Sequence, residues 1–173
     1  KCDLFRYLLL LREGGYYSDM RQLCLQPLDA VLPGDAEWFS PLEWFSTPES
    51  PETYMNNAFL ASVPGHPWLE QAVAEVLGSI RERRFGGSSL DPTGPGALGR
   101  ACCLQQAEPR WLIGKHRHEG GSGYICSHSG EKFILTKYWK GDGGSFRAGE
   151  WGPEDGGGHS YNALWEARDI YLQ

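Results

Sequence analysis

One short stretch constrains the fold of this chain more than any other: the leucine-rich run Leu4-Phe5-Arg6-Tyr7-Leu8-Leu9-Leu10-Leu11, which passes through Gly14-Gly15 into Tyr16-Tyr17-Ser18-Asp19. Leu4, Leu8 and Leu11 recur at helical spacing with Phe5 and Leu9 beside them, and the glycine pair supplies the positive φ at which helices commonly stop. The spacing predicts a largely buried helix over 2–13, with polar residues returning at Arg12-Glu13. A short strand should follow and deliver the Asp19 carboxylate to its own end. Asp3 and Arg6 lie three apart and share a face of the helix. Taken alone, such a pair is an intrahelical ion pair worth roughly a few tenths of a kcal/mol.

A carboxylate at a strand end next to a second acid and an arginine suits a sugar-nucleotide site, where carboxylates accept hydroxyl protons and positive charge carries a leaving diphosphate. The full string is K-x-D-L-F-R-Y, then leucines, then G-G-x-Y-x-D and C-L-x-P-L-D. It resembles the glycosyltransferases with an Asp-x-Asp sugar-binding region, family 32 in the usual classification. The best-known members are Golgi mannosyltransferases acting on N-glycans and on inositol phosphoceramide. Asn57-Ala58-Phe59-Leu60-Ala61, Pro64-Gly65-His66-Pro67, Thr93-Gly94-Pro95-Gly96 and a closing His159-x5-Trp165 continue the resemblance in the family's order.

The resemblance implies an α/β fold, the C-terminal portion of a nucleotide-diphospho-sugar transferase (GT-A-like) fold with a mixed sheet and helices on both faces. It implies transfer of a hexose, mannose from GDP-mannose, onto a glycan or glycolipid hydroxyl with retention of configuration. It assigns Asp3 and Arg6 to the donor hexose, with Tyr17 beside them and Asn57 near the sugar; the neighbouring Asn56 leaves that last match uncertain by one. Asp19 matches the first acid of the Asp-x-Asp motif, a catalytic and metal-assisting position. His159 is placed near metal and diphosphate, and Trp165 over the donor. The implied cofactor is Mn²⁺ or another divalent cation. Ahead of such a segment, family members carry a nucleotide-binding half and often a membrane anchor, which implies a Golgi or other endomembrane lumen for the parent protein.

The second acid of the motif falls at Arg21. A hard divalent ion wants oxygen ligands, and an arginine only donates hydrogen bonds. Three arrangements remain open. Arg21 clamps phosphate oxygens in place of a metal, the register slips so that another carboxylate serves, with Asp29 too far along, or the chain is an inactive relative that binds a glycan without breaking a bond.

Composition narrows the field from outside. Among 173 residues the formal net charge is −6, and the one basic run, Arg81-Glu82-Arg83-Arg84, suits a helix C-terminus better than a nucleic acid. Seven Trp, eight Tyr and seven Phe are many for this length; core packing must use most, while sugar clefts use such rings as flat platforms. Five cysteines leave at least one thiol unpaired within a monomer, and no pairing follows from their spacing. His116-x-His118 with Cys126 and His128 matches no standard zinc spacing. No run approaches the ~20 apolar residues of a membrane-crossing helix.

The rest of the chain reads as a single domain over 1–173. A short helix or turn is expected at 28–32, an apolar strand at 57–62, and a helix from Trp68 to about Arg84 with Leu69, Val73, Val76, Leu77 and Ile80 on one stripe. A helix at 95–106 follows the Thr-Gly-Pro-Gly turn. Strands are expected at 111–113 and 132–138, and the Gly- and Ser-rich stretches 114–130 and 140–158 read as flexible loops.

Overall fold

A computed structural model describes residues 2–20, 22–49, 52–102, 106–139, 145–147 and 161–171. The leucine periodicity forms α1, Cys2–Glu13, and the strand β1, Gly15–Ser18, follows it. Gly14 makes the turn: its N–H bonds Leu10 O at 2.8 Å and its φ is +68°. A Cβ there would meet Pro64 and the Ser62 carbonyl at 2.7–2.9 Å. The remaining elements are β2 Leu23–Cys24, α2 Leu28–Val31, β3 Trp38–Leu42, β4 Phe59–Ser62, α3 Pro67–Arg81, α4 Pro95–Ala101, β5 Trp111–Glu119, β6 Ser122–Cys126, β7 Lys132–Trp139, β8 Ser145–Arg147 and α5 Tyr161–Glu166.

The described strands build one curled mixed sheet in the order β1-β4-β3-β5-β6-β7-β2, with β8 also on β7. Only β3 and β5 pair in parallel, from Trp38↔Trp111 to Leu42↔Lys115. Because β4 runs antiparallel to both β1 and β3, the C-terminal ends of β1, β3 and β5 and the start of β4 all lie at one edge of the sheet. That edge is where open α/β sheets usually hold their ligands.

Alternation along β3 and β4 divides the core. Trp38, Leu42 and Leu60 face α1, α3 and α4, meeting Tyr7, Leu10, Leu69, Val76 and Leu98. Phe39, Phe59 and Ala61 face the other way. Helices were expected on both faces; among the described residues the second face packs against the four-residue α2 and the sheet itself. The sheet's curl brings Phe133 within 5.5 Å of Phe39 and 5.3 Å of Phe59, ring centre to ring centre.

Several boundaries differ from the pattern-based expectation, for local reasons. α1 buries one face only: Arg6, Tyr7 and Leu10 are enclosed, while Phe5 is 62% and Leu8 46% exposed. The α3 stripe is rotated onto Trp68, Leu69, Ala72, Val76 and Ser79, so Leu77 and Ile80 stand half out. α4 ends at Ala101 rather than 106. Its Gly99 backbone lies so close to Thr53 that a Cβ would overlap the Thr53 carbonyl oxygen.

The stretch 114–130, expected as loop, is mostly the β5–β6 hairpin, its glycines concentrated at the Gly120-Gly121 turn where φ is +57° and +80°. Of 140–158, only Ser145–Arg147 is described, as β8. Cys2, Cys24, Cys102 and Cys126 are all unpaired. Among the described residues no helix is long and apolar enough to cross a membrane.

His66 caps α3 by accepting the Trp68 N–H at Nδ1, 3.2 Å away, from inside a cage of Trp38, Trp68 and Trp111 rings. Burial pushes its pKa down to about 4, against a partial pull from Glu37. The unfolded chain therefore takes up this proton near pH 6.5, the folded chain only near 4, and stability falls as pH drops through that window. Between pH 7 and 4.5 the expected loss from this group is about 2–3 kcal/mol. Urea denaturation of the native chain beside His66→Asn, which keeps a capping side chain, should show that increment only in the native protein. Equal pH slopes in the two would reject it.

Candidate functional site

The shared sheet edge gathers five of the residues singled out by sequence into one hydrogen-bonded cluster. β1 ends at Ser18, and Asp19 is fixed just past it by its own N–H to Ala58 O at 2.8 Å, at the mouth of β4. Asp3 and Arg6 come from the first two turns of α1. Asn57 comes from the approach to β4, and Tyr17 from β1.

Arg6 is the hub, and it is 7% exposed. Its Nη1 donates to Asn57 O at 2.6 Å and to Asp19 Oδ1 at 3.2 Å, while Nη2 lies 3.4 Å from Asp3 Oδ1. The guanidinium lies 4.5 Å from the centre of the Tyr17 ring. Asn57 spends both amide hydrogens, on Asp3 Oδ1 and on Tyr7 Oη, each at 2.9 Å. Thr93 Oγ1 donates to Asp3 Oδ2 at 2.8 Å and Tyr7 Oη to Gly94 O at 3.3 Å, tying the Thr-Gly-Pro-Gly turn to α1.

The two phenols of the site stay protonated near neutral pH. Burial, and then the neighbouring Asp3 charge, push the Tyr7 hydroxyl far above its ordinary value. Burial, followed by the hydrogen bond it donates to Asp19 Oδ1 at 2.8 Å, pushes Tyr17 up to about 12. Both phenols therefore remain donors. Asp3 Oδ1 faces Asn57 and Arg6, Oδ2 accepts from Thr93, and the side chain is 27% exposed. Asp19 is the more exposed acid, at 41%, and its Oδ2 has no hydrogen-bond partner among the described residues. A hard cation placed there would gain an oxygen ligand without displacing a hydrogen bond.

The other expected site residues behave differently. Trp165, on α5, donates its indole N–H to Phe85 O at 2.7 Å and sits under Arg168; none of its contacts runs to Asp3, Arg6, Tyr17 or Asp19. Arg21 and His159 lie outside the described residues. Among the described residues no three His, Cys, Asp or Glu side chains gather as a metal site, and His116 is instead held by Glu43 and Thr136.

Two residues of the cluster had escaped the sequence reading of the site. Tyr7 follows Asp3 by four and shares its helical face, which was a usable signal. Thr93 sat inside a noted motif whose contact partner no spacing could reveal.

A protein-family model described as a glycosyltransferase sugar-binding region containing a DXD motif matches residues 1–38. The match covers α1, β1 and Asp19, and so contains four of the five clustered residues. A search of curated proteins finds no match.

Proposed function

We propose that the Asp3-Arg6-Tyr17-Asp19-Asn57 cluster binds the hexose and the diphosphate end of a nucleotide sugar, and that the chain takes part in glycosyl transfer. What carries this reading is that residues from three separate segments converge on Arg6 at the edge where β1 and β3 end, within and beside the stretch matched by the sugar-binding model. The finer form, by resemblance, is mannose from GDP-mannose delivered to a glycan or glycolipid hydroxyl, on a GT-A-like fold and in a Golgi or other endomembrane lumen.

The chain's own groups have distinct tasks in this scheme. The Asp3 oxygens accept protons from sugar hydroxyls, and Asn57 and Thr93 hold that carboxylate in place. Arg6 pairs with both acids and offsets one of their two negative charges; no residue stands out as a covalent nucleophile, and front-face attack with retention is the matching route. A divalent cation, when bound, would neutralise the leaving diphosphate, and Asp19 Oδ2 would be its ligand here. The rival reading, a glycan-binding relative without activity, rests on Arg21 standing where the second acid belongs.

Calorimetry with GDP-mannose and other nucleotide sugars, followed by turnover assays with Mn²⁺ and with EDTA, separates these readings. Turnover that survives EDTA supports an arginine in place of metal, and Mn²⁺-dependent turnover supports a metal at Asp19. Sugar binding with no turnover in either condition supports the inactive relative. Asp3→Asn is expected to weaken donor binding about 10- to 100-fold, the value of a charged hydrogen bond, while the chain keeps a cooperative melting transition at a somewhat lower temperature. Wild-type affinity in that variant would remove Asp3 from the site.

A further inference from the structure

We infer that the aromatic patch just beyond β3, formed by Trp44, Phe45 and His118, is a saccharide platform and takes the acceptor glycan; the acceptor assignment rests on the donor reading above. Trp44 and Phe45 are 57% and 49% exposed and directly follow the C-terminal end of β3. Their rings are edge to face at 5.4 Å, and Trp44 also meets the exposed His118 of β5 at 5.5 Å. Phe45 rests on Tyr54 at 5.3 Å. Adjacent apolar ring faces at fixed angles, bordered by hydrogen-bonding groups, match a pyranose, which offers C–H faces and a rim of hydroxyls.

The border is built rather than incidental. Glu43 Oε2 lies 2.9 Å from His116 Nδ1, and His116 Nε2 lies 3.2 Å from Thr136 Oγ1. Glu43 Oε1 accepts from Asn56 Nδ2 at 2.8 Å. Asn56 thus holds Glu43, the residue before Trp44, while its neighbour Asn57 holds Asp3, so both ties start from the approach to β4. A second tie runs through Tyr54, whose hydroxyl is 3.5 Å from Ser88 Oγ, within the α3–α4 connection whose Thr93 bonds Asp3. A saccharide is favoured over a lipid surface because carboxylate, imidazole and hydroxyl groups adjoin the rings.

The test is a screen of neutral oligosaccharides on a glycan array without donor, followed by calorimetry of the bound glycan with the native chain, Trp44→Ala and Phe45→Ala. GDP-mannose and phosphatidylcholine vesicles are titrated in parallel. Binding of at least one neutral oligosaccharide, weakened at least tenfold in Trp44→Ala with melting temperature and nucleotide-sugar affinity unchanged, is the expected result. No glycan bound, equal affinity in both variants, or vesicle binding lost in Trp44→Ala without glycan binding would each overturn the inference. If glycan binds at Trp44 but no nucleotide sugar binds at all, the platform stands and the donor reading fails.

Discussion

Arg6→Met is expected to abolish measurable nucleotide-sugar binding and to cost about 2–4 kcal/mol of stability. The usual penalty of about 3–5 kcal/mol for breaking a buried ion pair is reduced because the acids it leaves behind are partly exposed, Asp3 at 27% and Asp19 at 41%. The substitution keeps an unbranched side chain of similar length against the Tyr17 ring but removes every donor that joins α1, β1 and the start of β4. Asp3 and Asp19 then face each other with no intervening cation, and Asn57 O loses its 2.6 Å partner. Chemical denaturation supplies the first readout and calorimetry the second. Adding Asp19→Asn to Arg6→Met should recover part of the stability, by removing one uncompensated charge, while leaving binding absent. Recovery of both would show that Arg6 only balances charge. Arg6→Lys keeps the charge without the planar fork, so stability should largely persist while binding stays impaired.

Trp38→Ala carries the other large effect, a loss of about 3–5 kcal/mol. Trp38 has no exposed surface, lies 4.8 Å from the His66 ring and meets Trp68 edge-on at 5.4 Å. It opens the only parallel pairing among the described strands, opposite Trp111. Its removal opens a void under the N-terminus of α3 and lets water reach His66. At a few degrees per kcal/mol for a domain of this size, the melting temperature should drop by roughly 8–15 °C, measured by scanning calorimetry. The pH-dependent increment of His66 should shrink in the same variant, since its cause is burial. A drop under 3 °C would mean the aromatic cage is not what holds α3 on the sheet.

The two predictions draw on different kinds of legibility. The Arg6 cluster lies largely within the first twenty residues, where helical spacing and a glycine stop act over short range, and Asp3, Arg6, Tyr17 and Asp19 were readable there. Asn57 was readable only by resemblance and uncertain by one position. The tertiary hydrogen bonds separate the pair, sending Asn57 to Asp3 and Asn56 to Glu43. The aromatic cage around His66 was not readable, because its rings come from β3, α3 and β5, and no periodicity links strands that pair across seventy residues.

The β5–β6 hairpin shows the opposite error. Glycine and serine content reads as loop, but strand pairing satisfies the backbone whatever the side chains are, and it hides glycines at turns. Trp165 was singled out by its place in a motif; its hydrogen bond to Phe85 O is a tertiary contact that no spacing reveals.

The sequence by itself determined the local elements and the chemistry of the opening block: a one-sided helix, a glycine stop, a strand ending on a carboxylate, and an acid and an arginine one turn apart. These are set by interactions within a few residues. Only the tertiary structure decided that β1, β3 and β5 end at one edge, that Asn57 and Thr93 lock Asp3, and that Trp44 meets Phe45 and His118. Each of those depends on strand order and register, and the free energy that fixes them is spread over two cores assembled from distant segments.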